Sequence, residues 1–444
     1  MKIKVYLYIC CMYLLLVLSG CSVNKFIPQD SYLLDDVKIE SDNKEIKPSY
    51  MTAYVRQNPN AKWFSLVKIP MYIYSASGQD STRWINRLWR RLGDAPVIYD
   101  RELAQETRQE IQKAVQNIGY MGASVTVRET PKGNRMKVCY QITSGEPYVI
   151  DYIGYDIDDA RINALFRDDS IRINLQKGMR FDVNQLDAER QRITQYLQDR
   201  GYYRFNKDFI TFQADTILNT HKIDLTMQIA PFQRLKEDSP STHRQYTVRE
   251  VNYLLDTDPT SLSEESFGQL HRFSTDHIQI YYNNKMFLRP KVLEESNFIT
   301  KGQLYQSRDV QNTYASLSRL HILKYSNIRF REVLQNDSAF LDAYVTLSRN
   351  KNKSMEFEIE GTNSAGDLGA AASVTFNHRN LFKGSESFSL KLRGAYEAIT
   401  GLEGYANSNY MEYGVESSLN FPEFMFPFLS SDFKRKIRAT SEVS

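Results

Sequence analysis

The chain has 444 residues, of which 42% are hydrophobic and 25% are charged, and its formal net charge is +3. This composition suits about three globular domains of roughly 150 residues each, and it excludes a largely disordered chain. Basic residues are mixed with acidic ones except in one short run, Lys434 to Arg438, so nothing indicates nucleic-acid binding.

The N-terminal segment predicts secretion and lipidation. Lys2 and Lys4 precede an apolar run that is too short to span a membrane as a helix. Leu18-Ser19-Gly20-Cys21 then resembles a bacterial lipobox, in which the cysteine is acylated and becomes the first mature residue. We predict a signal peptide at residues 1–20 and lipidation of Cys21, which would fix the chain to a membrane. The alternative is an ordinary signal peptide with a coincidental cysteine.

A repeated pattern follows, in which an amphipathic helix ends at a break and two strands come next. The helices open at Tyr99-Asp100, Phe181-Asp182 and Tyr305-Gln306. The first two end at Gly119-Tyr120 and Gly201-Tyr202, where glycine allows a left-handed turn, whereas the third copy has no such glycine. Each copy also has a strand and a shorter helix upstream, which completes a small α+β module.

These repeats set the predicted domain boundaries. A lipidated tether at residues 21–34 precedes three modules at residues 35–146, 147–231 and 232–350. The segments Asn43 to Asp94 and Asp256 to Tyr282 are interpreted as loops or irregular insertions. Within the first segment, Trp84, Leu88 and Trp89 fall at helical spacing, and we interpret them as packing under the insertion, with an exposed binding patch as the alternative. After signal cleavage Cys139 is the one remaining cysteine thiol, which excludes an intramolecular disulfide.

Residues 351–444 change to long alternating strands. Alternation over about ten residues is typical of a membrane β-barrel, although a soluble sandwich would look similar. The predicted strands are Met355 to Gly361, Leu368 to Asn377, Ser387 to Tyr396 and Tyr410 to Asn420. Because a membrane barrel needs at least about eight strands, this part is expected to be the incomplete N-terminal portion of one. A fragment or truncated chain is favoured over the combination of several copies.

Three stretches carry a resemblance to a known family: Arg56 to Asn60, Gly93 to Asp100 and His378 to Gly384. Together with the Gly-Tyr helix ends, they make the chain similar to the BamA/TamA family of outer-membrane β-barrel assembly proteins, in particular to a C-terminally truncated, lipoprotein TamA-like member. The resemblance implies an α+β fold of tandem POTRA-like βααββ modules followed by the first antiparallel strands of a barrel. It implies an outer-membrane location, with the modules in the periplasm.

The residues predict a binding protein without catalysis. The six histidines lack metal-ligand spacing, no phosphate-binding glycine loop is present, and we expect no enzyme activity, metal or cofactor. Sheet edges would instead bind extended client segments through main-chain hydrogen bonds. The resemblance places these edges at Ser124, Val125 and Val127; at Phe209, Ile210 and Phe212; and at Ile328 and Phe330. The first barrel strand would contain Met355, Phe357 and Ile359.

The expected partners are unfolded outer-membrane or surface proteins, outer-membrane lipid, and a protein of the periplasm or inner membrane. Nucleic acid is not expected. Two alternatives remain: a two-partner secretion pore, and a lipid-tethered periplasmic scaffold without insertase activity.

Overall fold

The computed structural model describes residues 23–63, 67–78, 80–168, 173–217, 220–232, 242–256, 270–335, 338–364, 367–398, 409–425, 428 and 439–444. Within these residues the longer strands form four sheets. The chain divides into two compact units, Met1–Arg190 with Ile210–Ala230, and Gln191–Phe209 with Pro231–Ser444. Cys21 and the predicted signal peptide lie outside the described residues.

The first module begins with a short 3₁₀ helix at Val23–Phe26 and lies in the first unit. Its elements are β1 (Leu33–Ser41), α1 (Pro48–Met51), α2 (Ile69–Ser75), α3 (Trp84–Leu92), α4 (Arg101–Asn117), β2 (Ser124–Lys132) and β3 (Arg135–Thr143). The strand order is β1-β3-β2, with β1 parallel and β2 antiparallel to the central β3. Asp100 caps α4 by accepting hydrogen bonds from the amides of Glu102 and Leu103.

One face of α4 supplies the core of the first module. Ile111 and Val115 are fully buried at helical spacing and pack against Val125 and Val138 of the sheet. The prediction of a loop between Asn43 and Asp94 is wrong where the short helices α1, α2 and α3 lie, whereas the alternative of an irregular insertion fits this segment. The interpretation of Trp84, Leu88 and Trp89 as packed residues is also wrong, since all three side chains are exposed.

The second module contains β4 (Val149–Ile157), α5 (Ala160–Arg167), α6 (Val183–Gln198), β5 (Ile210–Ile217) and β6 (Lys222–Ile229). Its strand order, β4-β6-β5, and its mixed pairing repeat those of the first module. Ile150, Ile223 and Leu225 form its core with Phe181 and Leu186.

The third module lies in the second unit and has a larger sheet. It contains β7 (Tyr246–Leu255), β8 (His271–Ser274), β9 (Gln279–Tyr282), α7 (Pro290–Ser296), α8 (Ser307–Leu317), β10 (Leu323–Gln335) and β11 (Ser338–Arg349). The order β10-β11-β7-β9-β8 shows that β8 and β9 extend the sheet. In the described part of Asp256 to Tyr282 the prediction of a loop is therefore wrong, because Ile280 of β9 is buried in the core, whereas the alternative of an insertion that enlarges the module fits.

The C-terminal strands form an antiparallel sheet in chain order. They are β12 (Lys353–Ser364), β13 (Asp367–His378), β14 (Ser387–Ala398), β15 (Asn409–Phe421) and β16 (Ser441–Val443). Over the described residues the sheet is open and does not close into a barrel. The predicted α+β class, with POTRA-like modules followed by antiparallel strands, is confirmed. In the described part of the chain, no helix combines the length and hydropathy needed to cross a membrane.

Candidate functional site

In each module, the strand that follows the longest helix lies at an edge of the sheet. β2, β5 and β10 each lie at one end of the strand order of their module. Each pairs on one side, with β3, β6 or β11, and has no second strand partner among the described residues. Their outer backbone groups are therefore where an added strand could form hydrogen bonds.

Most of the apolar edge residues predicted from the sequence point into the modules, whereas Ile217 of β5 and Tyr325 and Leu334 of β10 are exposed. Val125 and Ile210 are buried, and Ile328 is 9% exposed. The partly buried Val127, Phe212 and Phe330 pack against the same cores. These side chains consequently anchor the strands, and the groups left for a partner are the backbone and the outward side chains.

Phe209 departs from the sequence prediction. It ends a 3₁₀ turn at Lys207–Phe209, and the strand begins one residue later at Ile210. Its ring lies 5.6 Å from that of Phe205 and 4.9 Å from that of His243, measured between centroids. Phe209 thus belongs to an aromatic cluster rather than to the strand edge.

A backbone junction joins the end of α4 to the start of β4. The amide of Tyr148 donates a 2.8 Å hydrogen bond to the carbonyl of Gly119, and the carbonyl of Tyr148 accepts one of 2.9 Å from Phe181. Gly119 has a φ of +100°, and an added Cβ would overlap the Phe181 carbonyl oxygen. Glycine is needed here for both its conformation and its small size.

Polar side chains reinforce this junction. The Arg180 guanidinium donates to the Glu45 carboxylate at 2.9 Å and lies 5.5 Å from the centroid of the Tyr120 ring. The Tyr120 hydroxyl donates to Glu45 at 3.1 Å and accepts from the Asn43 amide at 3.0 Å. These contacts link residues of the first and second modules within the first unit.

The same backbone pattern recurs at the end of α6, within the second unit. The amide of Tyr246 donates to the carbonyl of Gly201 at 2.8 Å, and the carbonyl of Tyr246 accepts from Tyr305 at 2.9 Å. Gly201 also has a positive φ, of +94°. Gly119 and Gly201 therefore have the same role at the two helix ends.

The side chains at the second junction are mainly aromatic. The Tyr203 ring lies 5.0 Å from that of Tyr305, 5.5 Å from that of Phe330 and 5.7 Å from that of Tyr246. Glu332 of β10 accepts hydrogen bonds from Arg204 at 2.7 Å and from the Tyr246 hydroxyl at 3.0 Å. Burial raises the pKa of Tyr305 to about 12, so its hydroxyl stays protonated at neutral pH. Phe330, a predicted edge residue, is thus part of the junction.

The turn between β13 and β14 docks onto the third module. Asn380 donates to the Phe287 carbonyl at 2.7 Å, and the amide of Arg289 donates to the Lys383 carbonyl at 2.9 Å. The buried Glu386 carboxylate accepts from the Arg289 guanidinium at 2.9 Å. This turn falls in and just after the His378 to Gly384 stretch that carried the family resemblance.

β12 presents two different faces. Met355, Phe357 and Ile359 are 60%, 74% and 88% exposed. Phe357 is in register with Val374, Leu392 and Val415 across the sheet, which makes an apolar row over four strands. The alternate residues Glu358 and Glu360 pair with Lys391 and Arg393 on the other face.

Among the described residues, no group of three or more His, Cys, Asp and Glu side chains could hold a metal ion. Cys139 is a half-buried free thiol, and burial raises its pKa. A raised pKa makes this thiol a weak nucleophile.

Residues 32–145 match the family model described as POTRA, surface antigen variable number repeat. No curated protein is significantly similar to the chain. BamA POTRA3-5 from Haemophilus influenzae is 12% identical, with 72% of this chain and 99% of that chain covered and a TM-score of 0.36. BamA from Haemophilus ducreyi lacking POTRA domains 1-3 is also 12% identical, with 62% and 48% covered and a TM-score of 0.34. CdiB from Acinetobacter baumannii is 8% identical, with 62% and 50% covered and a TM-score of 0.27.

The family match defines the class of one part of the chain: residues 32–145 are similar to a POTRA module. The match agrees with the POTRA-like fold that the sequence resemblance implied for this part of the chain.

Proposed function

We propose that the chain assists outer-membrane protein assembly or secretion by binding extended client segments along β2, β5 and β10. The clients would be unfolded outer-membrane or surface proteins. The observation that carries the proposal is that each of these strands pairs on one side within the described residues, while Val125, Ile210 and Ile328 are buried and hold the strands to their modules. The POTRA match to residues 32–145 supports it independently.

The chemistry of these edges suits clients of varied sequence. Backbone hydrogen bonds do not depend on side-chain identity, whereas a buried pocket would select particular residues. The outward positions of β2 carry Ser124, Thr126 and Arg128, which are exposed and polar. Such side chains tolerate many neighbours and limit permanent edge-to-edge association.

The sheet that begins with β12 is the proposed destination of the client. β12 pairs with β13 and has no other strand partner in the described part of the chain. Its exposed Met355, Phe357 and Ile359 would face lipid, and its free edge would pair with an incoming client strand. The turn docked at Arg289 and Glu386 connects this sheet to the third module.

We place the protein at the outer membrane, anchored by lipid on Cys21, with its modules in the periplasm. The lipobox-like sequence supports acylation, and Ser22 lacks the acidic side chain of an inner-membrane retention signal. A periplasmic or inner-membrane protein would be the further partner.

A photo-crosslinking amino acid tests the edge directly. Thr126 of β2 and Gln141 of β3 are paired and both exposed, but β3 is the central strand. A crosslinker at Thr126 should capture unfolded outer-membrane proteins in cells, while the same group at Gln141 should capture far less. Equal capture at the two positions would show that the edge has no special role.

Two single-cysteine variants test whether the client is delivered to β12. Glu358 of β12 and Arg393 of β14 lie on the same face, two strands apart. A cysteine at Glu358 should form disulfides with cysteines in a nascent client strand, and one at Arg393 should not. Absence of any disulfide at Glu358 during client assembly would contradict delivery to β12.

A further inference from the structure

Helix α3 turns its apolar side away from the protein. All five of its large apolar residues are exposed: Trp84 70%, Ile85 45%, Leu88 44%, Trp89 38% and Leu92 61%. At 100° per residue these side chains cover an arc of about 140° on one side of the helix. A helix on a globular domain ordinarily buries such a stripe, so this one is oriented the opposite way.

Polar contacts fix this orientation. Asn86, 9% exposed, accepts a hydrogen bond from the Gly78 amide at 2.9 Å and donates one to the Asp80 carbonyl at 2.7 Å. Arg90, one turn later, donates to the Gly78 carbonyl at 2.9 Å. At Gly93, an added Cβ would overlap the backbone of Tyr74, so the helix end lies directly against α2. The inward face is therefore polar and well packed.

The exposed side of α3 is basic as well as apolar. Arg87 and Arg91 are exposed and follow each other at one-turn spacing beside the apolar arc. The helix sequence contains three arginines and no acidic residue. Tryptophan, leucine and arginine in this arrangement are typical of helices that lie in the interface of an anionic membrane.

The position of Cys21 in the chain indicates which kind of surface lies near α3. The 3₁₀ helix Val23–Phe26 packs beside α3: Lys25 donates to the Ser77 carbonyl at 2.6 Å, and Arg90 lies 5.7 Å from the centroid of the Phe26 ring. Cys21 precedes Val23 by two residues, a distance that the backbone spans in at most about 7 Å. An acylated Cys21 would consequently bring a bilayer next to this helix.

We propose that α3 is a membrane-interface helix that binds the surface of an anionic phospholipid bilayer. Trp84, Leu88 and Trp89 insert at the boundary between headgroups and acyl chains, and Arg87 and Arg91 contact lipid phosphates. The helix adds a second, non-covalent attachment that orients the first module on its membrane. The choice of membrane rests on the proposed lipidation of Cys21, whereas affinity for lipid belongs to the helix itself.

Tryptophan quenching tests this in the full chain. Trp63, Trp84 and Trp89 are the three tryptophans, so a Trp63→Phe variant leaves α3 as the source of the signal. With Cys21→Ala added to remove acylation, vesicles of phosphatidylethanolamine and phosphatidylglycerol with brominated acyl chains should quench and blue-shift the emission. Brominated phosphatidylcholine vesicles should quench several-fold less.

Two variants separate insertion from general adsorption. Leu88→Glu places a charge on the exposed apolar arc without touching the core, and it should abolish quenching. Tyr152→Glu changes a side chain that is 62% exposed on β4 and should leave quenching unchanged. Unquenched α3 tryptophans in anionic vesicles would overturn the inference, as would equal quenching in phosphatidylcholine or quenching that survives Leu88→Glu.

Mass spectrometry of the wild-type N-terminal peptide distinguishes this inference from the proposed function. An acylated Cys21 with unquenched α3 tryptophans would overturn the membrane helix and leave the client-binding proposal intact. Quenching with an unacylated Cys21 would support the helix and overturn the lipid anchor.

Discussion

The backbone amide of Tyr148 donates a 2.8 Å hydrogen bond to the carbonyl of Gly119. Tyr246 makes the same bond, also 2.8 Å long, to Gly201. In both cases the end of a long helix is joined to the start of the third strand after it, through backbone atoms next to a glycine of positive φ. This repetition indicates that the same backbone contact forms each junction, with side chains adding different reinforcement at each.

Gly119→Ala should destabilise the first junction more than a glycine change with open space around it. The new methyl would overlap the Phe181 carbonyl and strain a φ of +100°, so we expect a loss of about 2 kcal/mol or more. Gly178→Ala is the matched control, because its φ is +85° with no atom within 4 Å, and about 1 kcal/mol is expected. Urea unfolding measures both, and equal losses would contradict the steric role of Gly119.

Asp342→Ala should be among the most damaging single changes in the third module. The Asp342 side chain is 1% exposed and accepts from Arg249 at 2.5 Å and from Arg331 of β10 at 3.3 Å. Removing it leaves two partly exposed arginines without this carboxylate, and we expect a loss of about 1.5–3 kcal/mol in unfolding free energy. Glu360→Ala, which breaks an exposed pair with Arg393, should cost at most about 1 kcal/mol. Comparable losses for the two variants would refute this ranking.

Glu386→Ala should loosen the turn between β13 and β14. Its carboxylate accepts from the amides of Phe382 at 3.1 Å and Gly384 at 2.8 Å, in addition to Arg289. Unpaired buried amides cost about 1–3 kcal/mol each, so the turn should become a site of rapid proteolysis. Lys383→Ala changes an exposed side chain in the same turn and should leave the cleavage rate unaltered. An unchanged digestion pattern for Glu386→Ala would count against this docking.

The contact between α7 and Glu423 should weaken as the pH rises through neutrality. Burial, together with a hydrogen bond and like charge from Glu423, raises the pKa of Glu295 from 4.5 to about 7, while Lys291 acts in the opposite direction. Because the folded pKa lies above the unfolded one, the stabilising contribution is complete below pH 4.5 and is lost by pH above 7. Hydrogen exchange of α7 should accelerate across this range.

Glu295→Gln provides the control for that pH dependence. The neutral amide cannot ionise, so exchange of α7 should then lose the acceleration specific to this range. A variant with the same pH profile as the wild type would show that another group is responsible.

Local features of the sequence were sufficient to predict most of the modular fold. The amphipathic spacing of Ile111 and Val115 predicted α4, and the alternation from Met136 to Ile142 predicted β3, because burial of one face imposes a fixed period. Gly119 and Gly201 marked helix ends because few other residues adopt a positive φ. The first strand predicted for the C-terminal part, Met355 to Gly361, lies inside β12.

Other features depended on partners distant in sequence, so only the tertiary structure decided them. β9 is a short segment whose strand identity comes from pairing with β7. Trp84 and Leu88 look like core residues by spacing, and their exposure follows from the inward contacts of Asn86 and Arg90. The sequence by itself determined the repeating elements, since backbone preference and hydrophobic period act over a few residues. Which face of a helix is covered, and which strand is left at an edge, were decided by contacts that exist only after the chain has folded.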